Sequence, residues 1–327
     1  WKLPYMWDED HWAVRTDAVV LFAIFASDAQ AAILAEASAV VPYIMALFYS
    51  GSAFWKLNLQ FFEPRGSCGT IYFVTLLGLA APEAFLKGTE VGQGLLWLAA
   101  NAAPALTIVV EMGIAVLLLA PPRSTMRRCG VFLAMLLHLL IAITPEPFNV
   151  SEYSIVCIVR MYFLLPDATT QALADWSGAA FSTKLAILGV ALASGALNLN
   201  PLGVIGTPIY VWLFMLFCRA LYLDATMPPL TTTAPPPAPT KRYLKWHVLE
   251  SAAFCYLLLA LGLADQGPSK PFANIKASHG QSNHFFAPLN LLPRLLAEYP
   301  PSFTLGGGTY RVDDCNATII NEVFPGV

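Results

Sequence analysis

The chain has 327 residues, 57% of them hydrophobic and 12% charged, with a formal net charge of −3 and a mean hydropathy of +0.60. A soluble domain carries about a quarter charged residues, so this chain has roughly half the charge needed to coat a globule, and its surplus apolar side chains are left to face lipid. Its 18 basic residues form no block, which argues against a nucleic-acid partner. The expected class is an all-α polytopic membrane protein.

Trp1, not Met, opens the chain, which leads us to expect further sequence before it. Residues 1–11 are aromatic and acidic, without the basic-then-apolar order of a signal peptide. A membrane span takes about 20 apolar residues. Apolar stretches run near 12–26, 32–55, 91–120, 128–144, 152–165, 179–199, 203–223 and 247–263. The first and fifth are short, so the expectation is seven to eight transmembrane helices. The stretch 70–87 is apolar but interrupted by Pro82 and reads as an interfacial helix. Pro121-Pro122, Pro145-Glu146-Pro147, Pro166-Asp167 and Asn200-Pro201 fall between apolar runs and mark their ends.

This divides the chain into a transmembrane helical domain (1–223), a Pro/Thr-rich linker loop (224–246), a last span (247–263) and a small polar cap (264–327). Arg123, Arg127, Arg128, Lys241, Arg242 and Lys245 gather in the 121–127 and 224–246 loops or at their edges, whereas 145–151 and 200–202 carry no Lys or Arg. The positive-inside rule then places both ends and the cap on the non-cytosolic side, lumenal or equivalent. The sequons at Asn149 and Asn316 fall on that side too. The six cysteines show no metal-ligand spacing. Cys68 and Cys315 lie in polar segments and are able to pair as a disulfide only on an oxidising side.

Chemistry is sought where lipid penalises polarity. A charge at the bilayer centre costs about 2.5–3.5 kcal/mol on insertion scales, so such residues face a partner or a cavity. Glu111, His138 and Arg160 are the intramembrane polar candidates, with Lys56 and His11 near helix ends. Glu111 and Arg160 read either as interhelical ion-pair residues or as site groups. His138 reads as a hydrogen-bonded core histidine or an axial ligand, and Lys56 as a snorkelling or a reactive amine.

The segment Phe54-Trp55-Lys56-Leu57-Asn58-Leu59-Gln60-Phe61-Phe62 resembles the lysine signature of the vitamin K-dependent γ-carboxylase-like family, whose membrane part is the horizontally transferred transmembrane (HTTM) domain. Trp7 to Trp12, and Glu111-Met112-Gly113 with Arg127-Arg128-Cys129-Gly130 and His138, resemble further family segments in the same order. The resemblance covers roughly 1–167. It implies that Lys56 and His11 are proton-transfer groups, with Asn58 orienting the lysine; the ligand stays open between a quinone type, which Trp12, Tyr49, Phe54 and Trp55 would suit as flat apolar walls, and a lipid. Asn58 stands where the signature also allows an acid, and about 62 residues follow Asp265, too few for the carboxylase's peptide-docking module. The sequence therefore resembles a short, divergent member rather than a protein carboxylase. Two functions stay open. One is an enzyme acting on a lipophilic small molecule or quinone. The other is a catalytically silent accessory subunit that packs against partner membrane chains and binds lipid or pigment.

Overall fold

In the computed structural model the described residues are 8–26, 29–64, 67–145, 150–195, 201–226, 242–261 and short pieces between 277 and 286. Nearly all of them are helical. The helices are α1 (Asp8–Ala26), α2 (Gln30–Trp55), α3 (Cys68–Ala80), α4 (Glu83–Gly88), α5 (Glu90–Leu118) and α6 (Thr125–Ile143). They continue with α7 (Ser151–Val159), a 3-10 turn (Arg160–Leu164), α8 (Pro166–Gly178), α9 (Phe181–Gly195), α10 (Pro201–Thr226) and α11 (Arg242–Leu261). A two-residue antiparallel pair joins β1 (Ala277–Ser278) to β2 (Gln281–Ser282).

Among the described residues four helices are long and apolar enough to cross a membrane: Ala31–Trp55, Glu90–Leu118, Thr125–Ile143 and Ile205–Thr226. A fifth crossing results if Pro166–Gly178 and Phe181–Ser194, bent by 112°, count as one span. Of the expected seven to eight crossings, the described helices thus support four or five by length and composition. The fifth apolar stretch shows why. It forms a nine-residue α7 that changes to a 3-10 turn at Arg160, about 14 Å of α-helix against a 30 Å hydrocarbon core. The stretch 70–87 is covered by two helices, α3 and α4, parted at Pro82. Three of the long helices hold interior prolines, Pro42, Pro104 and Pro208, a feature tolerated in lipid, where neighbours satisfy the freed carbonyls.

The chain divides into two compact units, and α1, α2, α5 and α11 each contribute to both. The first comprises residues 1–8, 48–112 and 252–327. Its core holds Phe48, Tyr49, Trp55, Phe61, Leu86 and Leu96, and the buried Thr70 hydroxyl donates to the Ala100 carbonyl (2.8 Å) to tie α3 to α5. The second comprises 9–47 and 113–251. There α10 packs on α6, α7, α8 and α9, with the Tyr210 hydroxyl donating to Met135 O (2.6 Å) and Thr207 to Ala142 O (2.7 Å). Small residues set the approach: a Cβ on Gly206 would fall 2.1 Å from Ser151 Oγ on α7.

α8 was not expected from the hydropathy pattern. Its sequence, PDATTQALADWSG, is mixed in polarity, but Pro166 starts it at the helix position where a proline N–H is not missed. Its buried face of Ala168, Thr169 and Ala172 packs in the unit where α10 covers it. Residues 227–241 and most of the expected cap, 287–327 included, lie outside the described residues.

Candidate functional site

The apolar run of α2 ends at Trp55, and the next residue is Lys56. Lys56 is 3% exposed, and across from it on α5 stands Glu111 at 8%. The ammonium donates to Glu111 Oε1 (2.8 Å) and Oε2 (2.9 Å) and to Ser52 Oγ (2.6 Å). Ser52 in turn donates to Glu111 Oε1 (3.1 Å), so three side chains close a ring. A lysine ammonium has three N–H donors. All three are spent on the protein. The Phe61 ring centroid lies 5.8 Å from Nζ and adds a cation–π contact. A buried charge stays stable when it is paired and hydrogen-bonded, and both conditions are met here.

Asn58, fully buried, shapes the turn that follows. Its Nδ2 donates to Trp55 O (2.8 Å), and its Oδ1 accepts from the N–H groups of Gln60 (3.1 Å) and Phe61 (2.9 Å). The side chain replaces backbone partners that the ended helix leaves unmade, as Asx turns do. These bonds organise the Lys56 turn and bring Phe61 back beneath the ammonium.

A piece of the polar tail docks on the same turn. Asn58 and His284 form an antiparallel bridge, Phe285 N–H donates to Leu57 O (3.0 Å), and the His284 ring meets Phe54 at 4.6 Å and Trp55 at 5.3 Å between centroids. His284 Nε2 bonds Phe54 O (2.8 Å) while Nδ1 accepts from Phe286 N–H (3.1 Å). That pattern requires the neutral, Nε2-protonated tautomer. Burial pushes the imidazole below its ordinary pKa, with the Phe54 carbonyl acting in the opposite direction. Trp55 Nε1 donates to Cys255 O (2.9 Å) and fixes the indole against α11.

The other candidates lie in the second unit. Arg160 makes an interhelical ion pair, but with Asp17 on α1 (2.8 Å), and it donates to Thr16 Oγ1 (2.7 Å) and Val156 O (2.8 Å). Glu111 and Arg160 are thus both ion-pair residues, each with its own partner, and the partners Lys56 and Asp17 come from distant sequence. His138 is buried with its ring 5.2 Å from Tyr153. Among the described residues no group of three His, Cys, Asp or Glu side chains lies together as a metal site. His11 lies on α1, and its side chain is outside the described residues, as is Cys315. A cavity of about 350 Å³ is lined by Phe22, Tyr243, Trp246, His247 and Glu250. Its carboxylate is already paired with Arg15 (Nη2 to Oε1 2.8 Å).

Sequence reasoning overlooked Ser52, Asp17, Arg15 and His284. Ser52 was legible, since it precedes Lys56 by four residues and so shares its helix face. The others depend on contacts across 143 to 235 positions and leave no local signal. Comparison with protein-family models, with curated proteins and with solved structures gave no match.

Proposed function

We propose that the protein is an integral multi-pass membrane protein of structural type, a helical domain that packs among lipid and partner membrane subunits, with Lys56 and Glu111 as its internal lock. The observation that carries this reading is the closed Lys56–Glu111–Ser52 ring, in which the ammonium has no proton to offer a ligand without breaking its pair. Exposed apolar side chains along the candidate spans, such as Val109 and Val116 on α5 and Phe132 on α6, suit lipid or partner helices. Six or seven crossings belong to this reading, the four or five long apolar spans with α1 and α11 added. α1 and α11, at 19 and 20 residues, are each long enough to reach across a hydrocarbon core at 1.5 Å per residue. The segments 121–128 and 241–245 carry the basic residues expected on a cytosolic side, and both termini fall on the other side when all eight apolar stretches cross.

A second reading keeps the HTTM resemblance: an enzyme acting on a lipophilic small molecule or quinone, with Lys56 and His11 moving protons and Asn58 holding the Lys56 turn. It is favoured by one feature, an ammonium 2.8 Å from a carboxylate away from water, since such a pair is able to exchange its proton when a ligand displaces one member. The two readings part on one measurement. Oxygen consumption with a reduced naphthoquinone is compared for the native protein and for Lys56→Met combined with Glu111→Leu. The structural reading expects equal rates and equal recovery of folded protein. A native rate well above that of a folded double variant overturns it in favour of the enzyme.

A further inference from the structure

The geometry points to an anion site at the start of α6, in which Arg127 binds the phosphate of an anionic lipid headgroup. Arg127 is 8% exposed. Its Nε has no hydrogen-bond partner, and among the described residues its guanidinium has no ion pair. Its two basic neighbours are provided for. Arg123 reaches Asp167 (3.1 Å) and Asp224 (3.9 Å), and Arg128 reaches the carboxylate (3.4 Å) and the carbonyl (3.1 Å) of Asp224. Three guanidinium groups thus face two carboxylates, and the one left over is the most buried. Packing does not tolerate a buried cation without a counter-charge, so an anion from outside the chain completes the site.

The surroundings suit phosphate. Ser124 caps α6, and its Oγ is spent on the N–H of Arg127 (3.1 Å). The N–H groups of Thr125 and Met126 therefore point out of the first turn without intrahelical acceptors, at the positive end of a 19-residue helix. Tyr43 on α2 is close enough to act electrostatically on Arg127. It is 52% exposed. The exposed side chains here, Tyr43 and Met126, are large and apolar, which favours a lipid over a free anion. α6 is long and apolar enough to cross a membrane, and its first turn then lies at headgroup depth.

The test uses the full chain in nanodiscs of phosphatidylcholine, with and without phosphatidic acid, and with inorganic phosphate added to the lipid-neutral discs. Thermal unfolding and the lipid retained in native mass spectrometry are the readouts. Phosphatidic acid is expected to raise the unfolding midpoint of the native protein. Arg127→Met should abolish that rise and weaken phosphatidic acid retention about tenfold or more, as for loss of a charge-assisted bond, while Arg127→Lys keeps part of it. In neutral discs Arg127→Met should melt no lower than the native protein, because no partner within the chain is lost. A full phosphatidic acid effect in Arg127→Met, or marked destabilisation of that variant in neutral discs, overturns the site. An Arg127-dependent shift with inorganic phosphate that phosphatidic acid does not exceed overturns the lipid as its source.

Discussion

Replacing Lys56 by Met removes a cation and leaves Glu111 buried with a single hydroxyl donor, Ser52 at 3.1 Å. Breaking a buried pair in this way costs about 3–5 kcal/mol, because the remaining charge has lost its compensation. Glu111→Leu strands the ammonium in the same manner and should cost about as much. Replacing both members together exchanges the pair for apolar side chains of similar volume, and the expected change is within about 1 kcal/mol of zero or stabilising. The double variant is therefore more stable than either single, a non-additivity of about 5 kcal/mol or more. With an unfolding entropy of about 2.1 cal/mol/K per residue over 327 residues, each single substitution lowers the midpoint by about 4–7 °C. Thermal unfolding of the four proteins in detergent, followed by far-ultraviolet circular dichroism, measures the cycle. If the singles melt with the native protein, or the double melts as low as the worse single, Lys56 and Glu111 are not a buried lock.

Three further outcomes are expected. Asn58→Ala leaves the N–H groups of Gln60 and Phe61 without their acceptor and should destabilise the chain by about 1–3 kcal/mol, read as a lower unfolding midpoint. The His284 strap should loosen in acid. Its imidazole is neutral in both states above the unfolded value of about 6.5, so the contribution is complete there. As the pH drops below that, the unfolded chain protonates first, and stability is lost until the depressed folded value is passed. Exchange of the Phe285 amide, corrected for its intrinsic rate, should therefore quicken between neutral and mildly acidic pH in the native chain and not in His284→Gln. Finally, a Cβ on Gly92 would lie 2.1 Å from the Phe85 carbonyl oxygen, whereas nothing lies within 4 Å of one on Gly94. Gly92→Ala should cost about 1–3 kcal/mol and Gly94→Ala should gain up to about 1 kcal/mol. Equal melting of the two variants would contradict the close approach of α4 and α5.

The membrane class and the places of α2, α5, α6 and α10 were legible in the residues, because a run of apolar side chains ended by Pro, Lys or a polar turn needs no distant partner to exclude water. Lys56 stood out for the same reason, as a cation at the end of such a run. The span count was less legible, since hydropathy alone does not reveal that 152–165 leaves the α-helical path at Arg160. α8 was invisible to it, being a mixed-polarity helix whose buried face is completed by α10. Asn58 was singled out as an orienting group, yet only the folded turn shows its carbonyl oxygen accepting two successive N–H groups. Which charge meets which was decided wholly by tertiary structure. Lys56 finds Glu111 55 positions away and Arg160 finds Asp17 143 positions away, while Arg127 finds no carboxylate among the described residues. Composition determines which segments leave water. The pairing of the charges they carry turns on a few ångströms of helix register, which depends on side-chain volumes and close approaches such as Gly206 to Ser151 rather than on any local pattern.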